Sequence, residues 1–374
     1  MTDGPGSGKS IIETLASLCP DVDSDVIQDF VSRMDPEYFE RFQPDTIARH
    51  IQLAGRLTPD HPCELSVVDK RAGRSEISIV AYDYFSEFAA LCGGLSAFGL
   101  NIEEGRIYTF MGASPSPRRE TRPADGRPKG RPGLSRKKIV DVFLVHPLDH
   151  EGFPAPQHNA LRQTVGEIVQ LLDAGRFEEA RQYVNRRLVE RLDKQRSAFT
   201  GLLDTVEITF DNSQSPTDTI MDIQSDDTPA FLYALANALA MRNVYITKAQ
   251  IECHGGKLHD RFFVRNRDGQ KLLDPADQQQ LRLTAVLIKQ FTHALTWASD
   301  PAKALASFDQ FLDLIVKDQG KMGKNRSLDF VSDKKSFPLL ARLLGASDFL
   351  WEDFLRRQHD NLLPLLTDYQ DAPL

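Results

Sequence analysis

Two aspartates stand in matching settings in this 374-residue chain. Asp83 and Asp227 each follow a stretch that alternates polar and apolar residues, and each precedes a run with helical spacing. A strand that turns into a helix leaves the first N–H groups of the helix without intrahelical acceptors. Those groups, with the local dipole, attract an anion such as a carboxylate. An aspartate beside them can hold an amino group, so a zwitterion suits this geometry. Asp is also a common helix cap, and both roles stay open for Asp83 and Asp227. In the second turn Thr228 suits the N-cap and Pro229 the first helical position.

Other combinations carry less chemistry. Gly6-Ser7-Gly8-Lys9-Ser10 imitates a phosphate-binding loop, but the required first glycine is Asp3 and only two residues precede it, leaving no room for a strand. The segment is expected to be a disordered tail. His259-Asp260 and His359-Asp360 are lone pairs, read as incidental, and His150, His158 and His254 have no spaced partners. No Gly-x-Ser-x-Gly occurs. Cys19, Cys63, Cys92 and Cys253 are far apart, which signals neither a zinc site nor a disulfide framework, and Cys92 reads as core. No catalytic residue, metal ligand or cofactor is expected in this chain.

The two aspartates belong to a duplication. Ile77–Ile107 and Met221–Ile251 align at an offset of 144, placing Asp83 on Asp227, Leu91 on Leu235, Leu95 on Leu239, Ile102 on Ile246 and Ile107 on Ile251. Each copy reads as strand, turn, helix, short loop, strand. A further strand repeats as DVFLV from Asp141 and DRFFV from Asp260. Two copies make a duplication and not a solenoid. Glu64–Val68 and Glu76–Ala81 alternate as half-buried strands, joined by a polar turn with Gly73. Phe88, Leu91, Cys92, Leu95 and Phe98 share one helix face, and Gly99 suits the position after that helix. Residues 112–138 are rich in Arg, Lys, Pro and Gly and absent from the second copy, which lowers the offset to 119 at Asp141/Asp260. This segment cannot bury a core and reads as a solvated, disordered insertion. A basic arm could touch an anionic partner, but no aromatic residue interleaves with its charges.

Helical spacing covers Ile11 to about Leu57, where Pro36–Phe42 is aromatic in a pattern that suits packing. It returns between the copies and after Trp297. The net charge of −8 argues against general nucleic-acid binding. No apolar run reaches membrane-span length and the first residues lack the features of a signal peptide, so a cytoplasmic protein without membrane contact is expected.

The pattern Asp-x-x-small-x-Phe/Leu, helix, Gly-x-Asn-Ile, strand, Asp-Val-Phe-x-Val resembles an ACT domain. Tandem ACT domains with these strands resemble the C-terminal sensor of the PII uridylyltransferases. Tyr82-Asp83 with Phe88–Leu91, and Leu232–Ala236 with Asp274-Pro275, carry that resemblance, which spans Cys63 to Trp297. Leu339–Leu350 is similar to the helical lead-in of glutamine synthetase adenylyltransferases. The family turn Asp-Arg-Pro-Gly is replaced by Asp83-Tyr84-Phe85-Ser86 and Asp227-Thr228-Pro229-Ala230. The Gly-Ser turn and paired-aspartate strand of the nucleotidyltransferases are missing: Asp21-Val22-Asp23, and Asp309 near Asp313, follow no such turn.

The resemblance implies an α+β fold of two ferredoxin-like βαββαβ domains, each with four antiparallel strands under two helices. The expected organisation is a helical segment 1–62, a first ACT-like domain 63–200, a second 201–297 and a helical segment 298–374. It implies ligand contacts at Asp83, Ser86, Glu87, Phe88 and Asn101, and at Asp227, Ala230, Phe231 and Leu232. The implied function is sensing of a small amino acid, glutamine by resemblance, for a nucleotidyltransferase catalytic domain in cis or in trans that modifies glutamine synthetase or PII. The alternatives are a non-catalytic scaffold that dimerises through its ACT domains and the N-terminal fragment of a glutamine synthetase adenylyltransferase.

Overall fold

The structure, a computed structural model, describes residues 6–84, 86–111, 136–148, 152–192, 206–228, 230–318 and 336–346. Four helices come first: α1 (Gly6–Leu18), α2 (Ser24–Arg33), α3 (Pro36–Arg41) and α4 (Pro44–Arg56). The first copy follows as β1 (Cys63–Asp69), β2 (Ser75–Tyr82), α5 (Glu87–Ala97), β3 (Leu100–Thr109), β4 (Lys138–Pro147) and α6 (Ala155–Asp173). After α7 (Phe177–Leu192) the second copy runs β5 (Glu207–Asp211), β6 (Thr219–Asp226), α8 (Phe231–Met241), β7 (Tyr245–His254), β8 (Lys257–Arg265) and α9 (Pro275–Ala294). Helices α10 (Pro301–Asp318) and α11 (Ser336–Ala346) close the described chain.

The eight strands form one continuous antiparallel sheet in the order β1-β2-β4-β3-β7-β8-β6-β5. The two copies therefore join edge to edge through β3 and β7, with Arg106 opposite Gln250 near the centre of the seam. Both copies carry the same irregularity, a register shift between Ile102 and Glu104 and another between Ile246 and Lys248. Within each copy the chain order is ββαββα, not βαββαβ: the strand expected last comes first. The reason is local. β1 and β2 pair as a hairpin across the Lys70–Arg74 turn, where the Lys70 amide donates to the Arg74 carbonyl at 2.8 Å.

One face of the sheet carries α5–α11 over a shared apolar core to which both copies contribute, including Ile79, Leu91, Phe143, Ile223, Leu235 and Phe262. On the other face of the first copy, Val80, Tyr82, Tyr108, Val140 and Val142 pack against α1–α4. Tyr38 sits at the centre of that layer against Phe30, Phe42 and Tyr108, so the aromatic run 36–42 is packing. The second copy has charged pairs on this face instead, such as Arg261 with Asp222 at 2.7 Å. Hence β2 is almost wholly buried, whereas β6 alternates.

Two local expectations change. Gly6–Ser10 is the opening of α1 and not a tail, and no strand precedes it among the described residues. Lys138, counted with the basic insertion, is the first residue of β4; it is buried and bonded to Asp29 at 2.8 Å, tying α2 to the sheet. Residues 112–135 of that insertion and Ser347–Leu374, with His359-Asp360, lie outside the described residues. No helix among the described residues is long and apolar enough to cross a membrane.

Candidate functional site

Each copy turns from its second strand into its first helix by the same device. In the first, the Asp83 amide donates to the Lys137 carbonyl at 2.9 Å, Ser86 adopts φ 64° and ψ 13°, and α5 begins at Glu87. In the second, the Asp227 amide donates to the Gly256 carbonyl at 2.8 Å, Ala230 adopts φ 57° and ψ 12°, and α8 begins at Phe231. Ser86 and Ala230 hold the N-cap positions without a side-chain cap bond, so neither aspartate caps its helix and Thr228 is not the N-cap. The Thr228 hydroxyl instead meets the Thr292 hydroxyl at 3.2 Å. A left-handed backbone costs an L-residue roughly 1–2 kcal/mol, a penalty glycine escapes at the expense of extra unfolded-state freedom. Ala230→Gly is therefore expected to raise unfolding stability by up to about 1 kcal/mol. Urea denaturation showing a loss would mean that the Ala230 methyl packing outweighs its backbone strain.

The two turns face the opposite copy. Asp83, Ser86, Glu87 and Phe88, with Asp141 of β4, line a cavity of about 70 Å³ closed by Ala240, Val244, Tyr245 and Ile246 of the second copy. Asp227, Ala230, Phe231 and Leu232 line a smaller one, about 30 Å³, closed by Ser96, Leu100, Asn101 and Ile102 of the first copy. This reciprocity follows from the antiparallel β3–β7 seam, which relates the copies by an approximate twofold. It also moves Asn101 from the first ligand set to the second: its Nδ2 donates to Asp227 Oδ2 at 3.0 Å, across 126 residues of chain. The position 144 residues on from Asn101 is Tyr245, in the first cavity.

The two cavities differ in charge. Around the first, Glu87 and Asp141 are both buried. Glu87 Oε2 accepts the Tyr84 amide at 3.2 Å, but Glu87 Oε1 and Asp141 Oδ1 have no hydrogen-bond partner among the described residues. Burial first, then repulsion by neighbouring carboxylates, holds both groups well above the usual carboxylate range. In the second copy Phe231, which lines the smaller cavity, stands in the place of Glu87, and Asp260, which lies behind its lining, in that of Asp141. Asp260 is fully buried with neither oxygen hydrogen-bonded among the described residues. Lys289 of α9 is fully buried too, its Nζ 3.9 Å from the centroid of the Phe231 ring. Burial raises Asp260, against the pull of Lys289, and lowers Lys289, against the pull of Asp227 and then Asp260. Asp227 is also raised, chiefly by burial, against the pull of Lys289 and the Asn101 bond.

His259 is exposed while Asp260 is buried, so the two do not act as a pair. Asp141, Asp260 and Lys289 did not stand out in the sequence. The available signals were an aspartate repeated inside an apolar strand and a lysine on the apolar stripe of α9 with Leu281, Ala285 and Ile288. Among the described residues no three His, Cys, Asp or Glu side chains converge to hold a metal ion. The turn sites combine buried carboxyls, a helix N-terminus and apolar walls.

The ACR9-like, ACT-like domain family matches residues 207–297, the whole second copy from β5 through α9. The chain is 26% identical over 294 residues to a bifunctional uridylyltransferase/uridylyl-removing enzyme of Ruegeria pomeroyi, covering 74% of this chain and 27% of that protein. It is 24% identical over 302 residues to the enzyme of the same name from Azospirillum brasilense, covering 79% of this chain and 28% of that one. The Caulobacter vibrioides enzyme is 25% identical over 273 residues, 73% of this chain and 26% of the relative. The chain thus spans about a quarter of the length of these curated relatives. No solved structure matches it significantly. The second copy is an ACT-like domain, and the first repeats its element order and its turn.

Proposed function

We propose that this chain is an amino-acid-sensing regulatory module, with glutamine the first candidate ligand, serving a nucleotidyltransferase that modifies PII or glutamine synthetase. The observation that carries the reading is the pair of turn–helix sites at the β3–β7 seam. A ligand there touches both copies and so couples occupancy to how they pack. Its carboxylate would meet first-turn amides of the helix and its ammonium the buried carboxyls. The relatives favour uridylyltransferase over adenylyltransferase as the regulated activity. The catalytic domain would lie in cis or in trans, in the cytoplasm, and two chains could associate as a homodimer.

The test is a set of thermal melts of the full chain across free amino acids. One of them, at a hundred times its dissociation constant, is expected to add about 2.7 kcal/mol of stability. A panel that leaves every melt unmoved would sink the sensing reading. The second reading, a scaffold whose ACT copies only hold partners together, draws on one feature. The second cavity is small and is already bridged by the Asn101–Asp227 bond.

A further inference from the structure

Helices α6 and α9 correspond at an offset of 120. Arg162 Nε donates to the Leu65 carbonyl of β1 at 3.2 Å, and Arg282 Nε to the Ile208 carbonyl of β5 at 3.0 Å. Thr164 matches Thr284 and Ile168 matches Ile288, all four buried. The same offset places Val169 on Lys289, both fully buried. The copies therefore exchange two residues in concert. The first has Glu87 with Val169: two buried carboxyls, counting Asp141, and a hydrocarbon on the helix. The second has Phe231 with Lys289: one buried carboxyl, Asp260, and a buried ammonium beside an aromatic face.

We infer that the amino-acid ligand binds only in the first cavity, where its ammonium meets Glu87 and Asp141, and that in the second copy the Lys289 ammonium permanently stands in for it. The inference rests on the sensing reading above and specifies which site senses. Three observations support it. The first cavity is the larger, about 70 Å³ against about 30 Å³. Glu87 and Asp141, both more than nine-tenths buried, line it with oxygens that no described group satisfies. The cation acting on this carboxyl set among the described residues is Lys137, at the exposed Asp83. A buried carboxyl demands a counter-charge or a proton, and no metal-holding group converges there among the described residues. An organic ammonium meets that demand. In the second copy neither Asp260 oxygen nor the Lys289 Nζ has a hydrogen-bond partner among the described residues, but each buried group feels the opposite charge of the other, and Asn101 closes the turn by bonding Asp227.

The test has two arms on the full chain. In the first, without ligand, Val169→Lys is made in the wild type and in a Glu87→Gln/Asp141→Asn background. The wild type should accept the new ammonium with a melting temperature within a few degrees of the parent, while the neutral background loses ten degrees or more. Equal losses in both backgrounds would overturn the inference. In the second arm, L-glutamine and the other free amino acids are titrated by calorimetry. One equivalent should bind per chain; Glu87→Gln and Val169→Lys should each weaken it at least tenfold, and Asp227→Asn less than twofold. Two equivalents, or a loss confined to Asp227→Asn, would refute the assignment. If no amino acid binds the wild type, the sensing reading and the ligand named here fail together. The first arm then still decides separately whether Glu87 and Asp141 take an ammonium.

Discussion

Gly93→Val is expected to cost about 3 kcal/mol or more of stability, at the upper end of what added core volume does. Gly93 lies in the middle of α5, facing α7 and α8. A Cβ placed there would lie 2.4 Å from Val184 Cγ1 and 2.7 Å from the Tyr233 ring, so something must shift. Neither neighbour moves easily. Both are buried, and the Tyr233 hydroxyl donates to Asn185 at 2.6 Å, fixing the ring between α7 and α8. The equivalent position in the second copy is Asn237, whose Nδ2 donates to Asp309 at 3.2 Å. The close approach is thus particular to the first copy. Because α5 and α8 meet across the seam that forms both cavities, a variant that stays folded should also bind ligand more weakly. Guanidinium denaturation reads the first effect; an unchanged midpoint would mean that α5 can slide away from α8 at little cost.

Acid should selectively weaken the attachment of the N-terminal helices. His50 of α4 is fully buried between the Tyr38 hydroxyl, 2.6 Å from Nδ1, and the Ser78 hydroxyl, 2.9 Å from Nε2. Burial, then the nearby Arg49 charge, pushes it down from 6.5 to about 3. A histidine lowered in the folded state binds its proton first in the unfolded state. Stability is therefore lost as pH falls below about 6.5, continuing toward 3. Between pH 7 and pH 4 this one group accounts for about 3 kcal/mol. The raised carboxyls Glu87, Asp141 and Asp260 act in the opposite sense, since their folded-state protonation favours the fold as pH falls. The effect must therefore be read as a difference: His50→Gln should have a shallower acid limb than wild type over pH 4–6.5. Parallel curves would show that His50 is not the group that titrates.

The duplication and its elements are legible in the chain alone. Strand alternation and helix spacing depend on neighbours a few residues away, so the offset of 144 maps Ser86 onto Ala230 in the same left-handed conformation and Glu87 onto Phe231 as the first helical residue. Even the ending of α5 at Gly99 was legible, because its φ of 68° is a local demand. Which strand closes each sheet emerges from the folded arrangement, since pairing is settled by edges that must be satisfied and not by order along the chain. It alone joined the copies through β3 and β7, and that seam put Asn101 against Asp227 and not beside Asp83. It alone brought Lys289 near Asp260, because a charge on an apolar stripe shows its purpose only when the buried group facing it is known. Local periodicity fixes elements; the chemistry of a buried site depends on groups that meet from distant segments, where the low dielectric makes each unpaired charge decisive.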